Sequence, residues 1–150
     1  MLIVDANVLA TALADGGADG ELSRRRLSGE RLAAPAVVDL EVASVWRRLA
    51  RAGGMTEARV LQALADLRAL PLLRVPHQAF LGRCWELRDN LSIYDAAYIA
   101  VAEAFEAPLV TGDDRLALAP GVRCPVEVLQ WQDSRGEATQ RVDGSETLDR

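Results

Sequence analysis

Four carboxylates in this 150-residue sequence stand next to apolar runs, where an ionised group is costly unless it has work to do. Asp5 closes the apolar start "MLIV". Glu41 lies within "PAVVDLEVASVW". Asp95 opens "DAAYIAVAEA", and Asp113, with Asp114 beside it, follows "LVTG". Each has a structural reading. Asp5 could cap the helix that follows. Ser92-x-x-Asp95 and Thr111-x-x-Asp114 both match a capping box in its carboxylate form. Glu41 could reach out from the edge of an apolar stripe to Arg48. Gathered at one place, however, four or five carboxylates would repel by roughly several kcal/mol at low effective dielectric unless a cation sat among them. A divalent metal is the simplest chemistry that explains them together.

Composition narrows the alternatives. All 17 basic residues are arginine, so mechanisms built on lysine are excluded: Walker-type phosphate loops, Schiff bases and receiver-domain phosphorylation. His77 is the single histidine and has no nucleophile motif near it, which points to a structural or surface role. Cys84 and Cys124 form no C-x-x-C pattern, so neither a zinc site nor a disulfide framework is indicated. No apolar run reaches the roughly 18 residues that cross a bilayer, and no basic start precedes a hydrophobic stretch. The expectation is a soluble, unexported, cytoplasmic protein with no membrane association.

The elements that must position the acids follow from periodicity. "LIVD" (2–5), "LLRV" (72–75), "LVT" (109–111) and "VEVL" (126–129) read as strands, and "RLAAP" contains a short one. Helical patterns run through "ANVLATALA", "GELSRRRLSG", "AVVDLEVASVWRRLARAGG", "TEARVLQALADLRAL", "AFLGRCWELRDN" and "SIYDAAYIAVAEAFEA", with a helical turn in "DDRLAL". Pro35 is expected in the first turn of the third helix. Val38, Val42, Val45 and Leu49 are expected as its buried stripe, with Glu41 on the edge. The alternation predicts an α/β fold, a parallel sheet with helices on both faces. In such sheets ligands gather beyond the carboxyl ends of the strands, where Asp5 and Asp113 both project. Asp95 shares a helix face with Ile99 and Ala102 and so points toward the core side. Residues 131–150 are polar and aperiodic, and are expected to lie outside the folded domain as disordered chain.

The segments "IVDAN", "PAVVDLEVASVWRR" and "YDAAYIAVAEAFEAPLVTGDDRL" together resemble the PIN-domain ribonucleases, most closely toxins of the VapC type. The resemblance covers about residues 1–130. It implies a three-layer α/β/α PIN-like fold around a mainly parallel sheet of about five strands. It also implies an acidic site at Asp5, Glu41, Asp95 and Asp113, with Asn7 and Thr111 in supporting positions and Asp114 as an additional acid suited to helix capping. The activity implied is endoribonucleolytic and dependent on Mg²⁺ or Mn²⁺. Hard oxygen donors favour these ions over zinc, and one or two of them would activate water and stabilise the leaving oxygen of a phosphodiester.

The net charge of −5 argues at first against an RNA partner. Yet outside the five candidate site acids, residues 1–130 carry 14 arginines against 12 acids. Arg24, Arg25 and Arg26 cluster on one helix, and Arg47, Arg48 and Arg51 on another. Either set could meet RNA phosphates or form a solvated face. The resemblance further implies a cognate antitoxin whose C-terminal segment covers the site, and a homodimer that can enter a larger toxin–antitoxin assembly. Apolar helical residues such as Trp46 and Trp85 suit a dimer face or a core equally well. A haloacid-dehalogenase-type phosphohydrolase is disfavoured, because "DAN" has asparagine where that chemistry needs its second acid, and no lysine is present. A PIN-like RNA- or protein-binding module without nuclease activity is the remaining alternative.

Overall fold

In the computed structural model of the chain, residues 1–132 are described. The elements run β1 (Leu2–Val4), α1 (Ala6–Ala14), α2 (Ala18–Leu27), β2 (Leu32–Pro35), α3 (Val38–Arg51), α4 (Glu57–Ala69) and β3 (Leu72–Val75). A 3-10 turn (Gln78–Phe80) leads into α5 (Leu81–Glu86), followed by α6 (Ile93–Ala104), β4 (Leu109–Thr111), α7 (Asp114–Leu118) and β5 (Val126–Val128). The five strands form one sheet in the order β3-β2-β1-β4-β5, and every pairing is parallel. Among the described residues no helix is long and apolar enough to cross a membrane.

The strand order decides where a site can form. From β1 the chain moves to β2 and β3 on one side, then returns to place β4 on the other. The split between β1 and β4 is therefore the topological switch point, where the connections diverge and leave a crevice. Right-handed crossovers put α1 to α4 on one face, where α1 packs on α2, α3 and α4, and α5 to α7 on the other, where α5 packs on α6. The central strands β1 and β4 are buried throughout, as the inner strands of a covered parallel sheet must be.

Three expectations are corrected. Pro35 does not open α3; it ends β2, in register with Val75 of β3, and the helix begins at Val38. Proline is tolerated there because the Ala36 amide, not residue 35, donates to the Val75 carbonyl, at 2.8 Å, and the pairing of β2 with β1 has ended at Ala33. The buried stripe of α3 is Val38, Val42 and Trp46, all fully buried, while Leu49 is 44% exposed. The indole of Trp46 donates to the Ala10 carbonyl at 3.2 Å, so a buried polar atom is satisfied and the large ring can pack against α1. The third correction concerns the domain edge. Trp131 packs against Gly112 and donates to Ser23 Oγ at 3.1 Å, and the Gln132 amide donates to Asp19. The folded body thus extends past residue 130; the rest of the stretch expected to be disordered, 133–150, lies outside the described residues.

Candidate active site

The pairing of Val4 with Val110 brings Asp5 level with Thr111, and the Asp5 amide donates to the Val110 carbonyl at 3.0 Å. Asp5 precedes α1 in extended conformation but makes no side-chain capping bond to it. Its carboxylate instead accepts from the Thr111 hydroxyl at 2.6 Å, and the same hydroxyl oxygen accepts the Asp113 amide at 3.0 Å. One buried threonine therefore ties the ends of both central strands together. Burial pushes the Asp5 carboxyl above the ordinary aspartate range. The Thr111 hydrogen bond opposes this, the negative charge of Asp95 adds to it, and the first amides of α1 at Ala6 and Asn7 oppose it.

Glu41 reaches the same place from α3. It flanks the buried Val38 and Val42, so its stem is drawn against the core while its head faces a cleft. It does not pair with Arg48. It accepts a hydrogen bond from the Tyr98 hydroxyl of α6. Its pKa is raised by burial, lowered by the Tyr98 bond, and raised again by the charges of Asp5 and Asp95. Tyr98 is itself buried beside these charges, which drives its own pKa far upward and keeps it a donor.

Asp95 lies in the first turn of α6, whose amide is capped by Ser92 Oγ at 3.0 Å. Only the backbone half of the expected capping box forms: among the described residues no hydrogen bond to the Asp95 carboxylate is made. Asp95 lines a cleft of about 390 Å³ together with Asp5, Asn7, Glu41 and Arg48, and also lines an adjoining groove of about 300 Å³ that contains Asp113. A larger hollow of about 580 Å³ between α1, α3, α4 and Trp131 contains none of the four acids.

Asp113 is brought to the edge of this arrangement and held there. It caps α7, accepting the Arg115 amide at 3.0 Å, and the Arg115 guanidinium grips both its oxygens through Nε at 2.9 and 3.0 Å and through Nη2. That pair holds the Asp113 carboxyl below its usual range. Asp114 was the expected capping acid; the cap is Asp113, and Asp114 is exposed at the first helical position. The structure thus gathers Asp5, Glu41 and Asp95 around one cleft, with Asp113 next door and neutralised by its neighbour.

Among the described residues no group of three or more histidine, cysteine, aspartate or glutamate side chains encloses a metal position. Chemically, the donor set suits a hard divalent ion: all oxygen, with two carboxyls raised by burial and mutual repulsion and with no cation bonded to Asp5, Glu41 or Asp95 among the described residues. His77 follows β3 at the edge of the sheet, away from these acids.

The two arginine clusters differ. Arg24 bonds the Ala12 and Asp15 carbonyls, Arg25 lies 3.9 Å from Glu21, and Arg26 makes a two-pronged pair with Glu127 of β5. Arg47 and Arg48 are exposed on α3, and Arg48 lines the acidic cleft. Trp46 is core, whereas Trp85 is 63% exposed with Arg88 4.8 Å from its ring centre. Sequence reasoning gave no role to Tyr98 or Arg115. Tyr98 carried a signal, since three residues after Asp95 it had to share that acid's helix face.

Comparison with known proteins agrees with this geometry. The family model described as "PIN domain" matches residues 2–122. Ribonuclease VapC9 of Mycobacterium tuberculosis is 41% identical over 129 residues, covering 86% of this chain and 98% of that protein. Among solved structures, the toxin VapC20 of M. tuberculosis, described as cleaving the sarcin-ricin loop, superposes with a TM-score of 0.61 at 19% identity over 82% of this chain and 97% of its own. A toxin–antitoxin complex from Klebsiella pneumoniae gives 0.60 at 21% identity, over 85% and 100%. With its all-parallel five-stranded sheet, its acids at the β1/β4 switch point and its close likeness to a VapC protein over nearly that protein's whole length, the chain belongs to the PIN-domain family, in its VapC group.

Proposed function

We propose that this protein is an endoribonuclease that hydrolyses RNA phosphodiester bonds with the help of Mg²⁺ or Mn²⁺, and that it serves as the toxin of a toxin–antitoxin pair. The observation that carries the reading is the convergence of Asp5, Glu41 and Asp95 on one cleft without a bonded cation, in a chain 41% identical to a protein named a ribonuclease. Asp5, Glu41 and Asp95 would hold the ion, with Asp113 available once Arg115 releases it. Bound there, the ion supplies charge neutralisation at the phosphodiester and a more acidic water.

The chain's own residues do the rest. Thr111 fixes the Asp5 carboxylate through Oδ2, and Asp5 lines the cleft. Tyr98 fixes Glu41 through Oε2, so Oε1 is the oxygen free to orient a water and accept its proton. A carboxyl whose pKa is raised by burial is better matched to that proton transfer than an ordinary one. No histidine is needed. Arg48 supplies positive charge beside the acids, where a phosphate must approach.

The antitoxin belongs to the same reading. Structural neighbours include toxin–antitoxin complexes, and a cleft of carboxylates suits an arginine or lysine side chain presented by a partner. Homodimer formation, a larger toxin–antitoxin assembly and a cytoplasmic location are part of the proposal. A binding module without nuclease activity is the second reading, favoured by one observation: Asp113 is tied to Arg115 rather than directed to the other acids.

Cleavage of end-labelled single-stranded RNA separates the two. The nuclease reading expects cleavage by the wild type with Mg²⁺ or Mn²⁺, none in EDTA, and a loss of at least about 100-fold in Asp95→Asn. Folded, antitoxin-free wild type that binds RNA and leaves it intact at every metal concentration would establish the module instead.

A further inference from the structure

The cleft holding the three acids has a second character that metal chemistry does not use. Beside Asp5, Glu41 and Asp95 it is walled by apolar side chains from both helices that frame it, and two of these are unusually open to solvent. Leu40 of α3 is 71% exposed and Tyr94 of α6 is 59% exposed, and both line the cleft. Core packing explains neither: α3 buries Val38, Val42 and Trp46, and α6 buries Tyr98 and Ile99. The polar lining is equally specific. Asn7 and Ser44 offer hydrogen-bonding groups, and Arg48 has no hydrogen-bond or ion-pair partner among the described residues.

An open aromatic ring, an aliphatic wall, two neutral polar groups and a free guanidinium are what an unpaired nucleobase and its phosphate need. A base offers a flat face that stacks on tyrosine, hydrogen-bonding edges that asparagine and serine read, and a phosphate that arginine meets. The same surface would be closed to a paired base, whose faces are covered by its neighbours in the helix.

We propose that Tyr94 and Leu40 form a subsite for one unpaired nucleobase immediately beside the scissile phosphate, with Arg48 on that nucleotide's phosphate. The subsite rests on the ribonuclease reading and sharpens it: base preference at the cleavage point is set by the Tyr94 cleft rather than by the acids. Asp95, adjacent to Tyr94 on α6, then ties the register of the stacked base to the bond that is cut.

The test uses a short single-stranded RNA, end-labelled, with one position at a time made abasic. Binding is read by fluorescence anisotropy in EDTA, so that no cleavage intervenes, and kcat/KM is read with Mg²⁺. Tyr94→Ala is expected to weaken binding and lower kcat/KM by about tenfold or more, Tyr94→Phe to recover most of that loss, and Leu40→Ala to show a smaller loss. Both residues are exposed, so circular dichroism and thermal midpoint should stay unchanged. One abasic position should reproduce the loss in the wild type and add little in Tyr94→Ala.

Unchanged binding and kcat/KM in Tyr94→Ala, or an abasic penalty that persists in full in that variant, would overturn the subsite while leaving the nuclease intact. Tyr94-dependent binding without any metal-dependent cleavage would keep the subsite and refute the nuclease. If the wild type does not bind the RNA, both fall.

Discussion

The buried Tyr98 hydroxyl donates to Glu41, joining α6 to α3. Because Asp95 sits three residues before Tyr98 on the same helix face, this bond fixes Glu41 relative to Asp95 as well. Tyr98→Phe keeps the buried ring and removes the donor. The half-buried Glu41 carboxylate then loses its only hydrogen bond among the described residues, at a cost of about 1 kcal/mol in stability. Cleavage should suffer more than folding: kcat is expected to fall about tenfold with retained secondary structure. The checks are steady-state cleavage kinetics and urea unfolding, and an unchanged kcat would remove Glu41's positioning from the account.

Asp5 illustrates a site that destabilises the metal-free protein. Burial, and then the charge of Asp95, lift its pKa despite the Thr111 bond. An acid whose folded pKa is raised contributes no penalty where both states are protonated. The penalty grows as pH rises through the unfolded value and is complete above the folded one. Asp5→Asn keeps an acceptor for Thr111 and removes the charge. In EDTA at pH 7 the variant should therefore be more stable than the wild type by about 1 kcal/mol, or about 4 °C in Tm. The difference should vanish near about pH 4. Saturating Mg²⁺ should raise the Tm of the wild type and not that of the variant, and calorimetry in both buffers reads each effect.

The acids were legible in the sequence because their positions follow from local rules. A carboxylate after a buried strand must leave the sheet at its carboxyl end, which placed Asp5 and Asp113, and one in the first turn of an amphipathic helix must share the face of Ile99 and Ala102, which placed Asp95. What was not legible depends on contacts between distant segments. Both Val38/Val42/Val45/Leu49 and Val38/Val42/Trp46 fit a helical period; the choice was made by the Ala10 carbonyl, which accepts the Trp46 indole. Polar composition begins just after Trp131, so the domain edge was drawn before it, whereas the ring belongs to the fold through Gly112 and Ser23. The Asp113–Arg115 pair spans two residues, a spacing that meets only because of the tight turn entering α7.

Acid sensitivity also has a source away from the cleft. Burial raises the Glu103 carboxyl, but the Arg83 guanidinium, at 2.8 and 3.0 Å, and the Arg123 amide at 2.9 Å outweigh it and hold the group below the usual glutamate range. Arg83 belongs to α5 and Glu103 to α6, so the pair locks those helices together. The sign is opposite to that of Asp5: stability from a depressed acid is present above its unfolded pKa and lost as pH falls through the folded one. Glu103→Gln should cost about 2 kcal/mol at pH 7, with wild type and variant converging in urea unfolding well below about pH 4. A constant difference across that range would show that packing, not charge, accounts for the loss.

Gly112 lies between Thr111 and Asp113, and its bare face carries the Trp131 ring. A β-carbon there would come within 2.1 Å of the six-membered ring, so Gly112→Ala must displace Trp131. The indole then gives up its bond to Ser23, and the turn that holds Thr111 against Asp5 loses its cover. Overpacking of this kind costs about 2 kcal/mol. Trp131→Ala removes the cover without the clash and should destabilise by a similar amount, since the ring bridges α2 and the β4–α7 turn. The two routes can be told apart. If Trp131 acts by clamping the turn, Gly112→Ala should add little to Trp131→Ala in the double variant, because the small residue at 131 leaves room for the methyl. Additive losses in unfolding free energy would instead mean that Gly112 is required by the turn itself, independently of the ring above it.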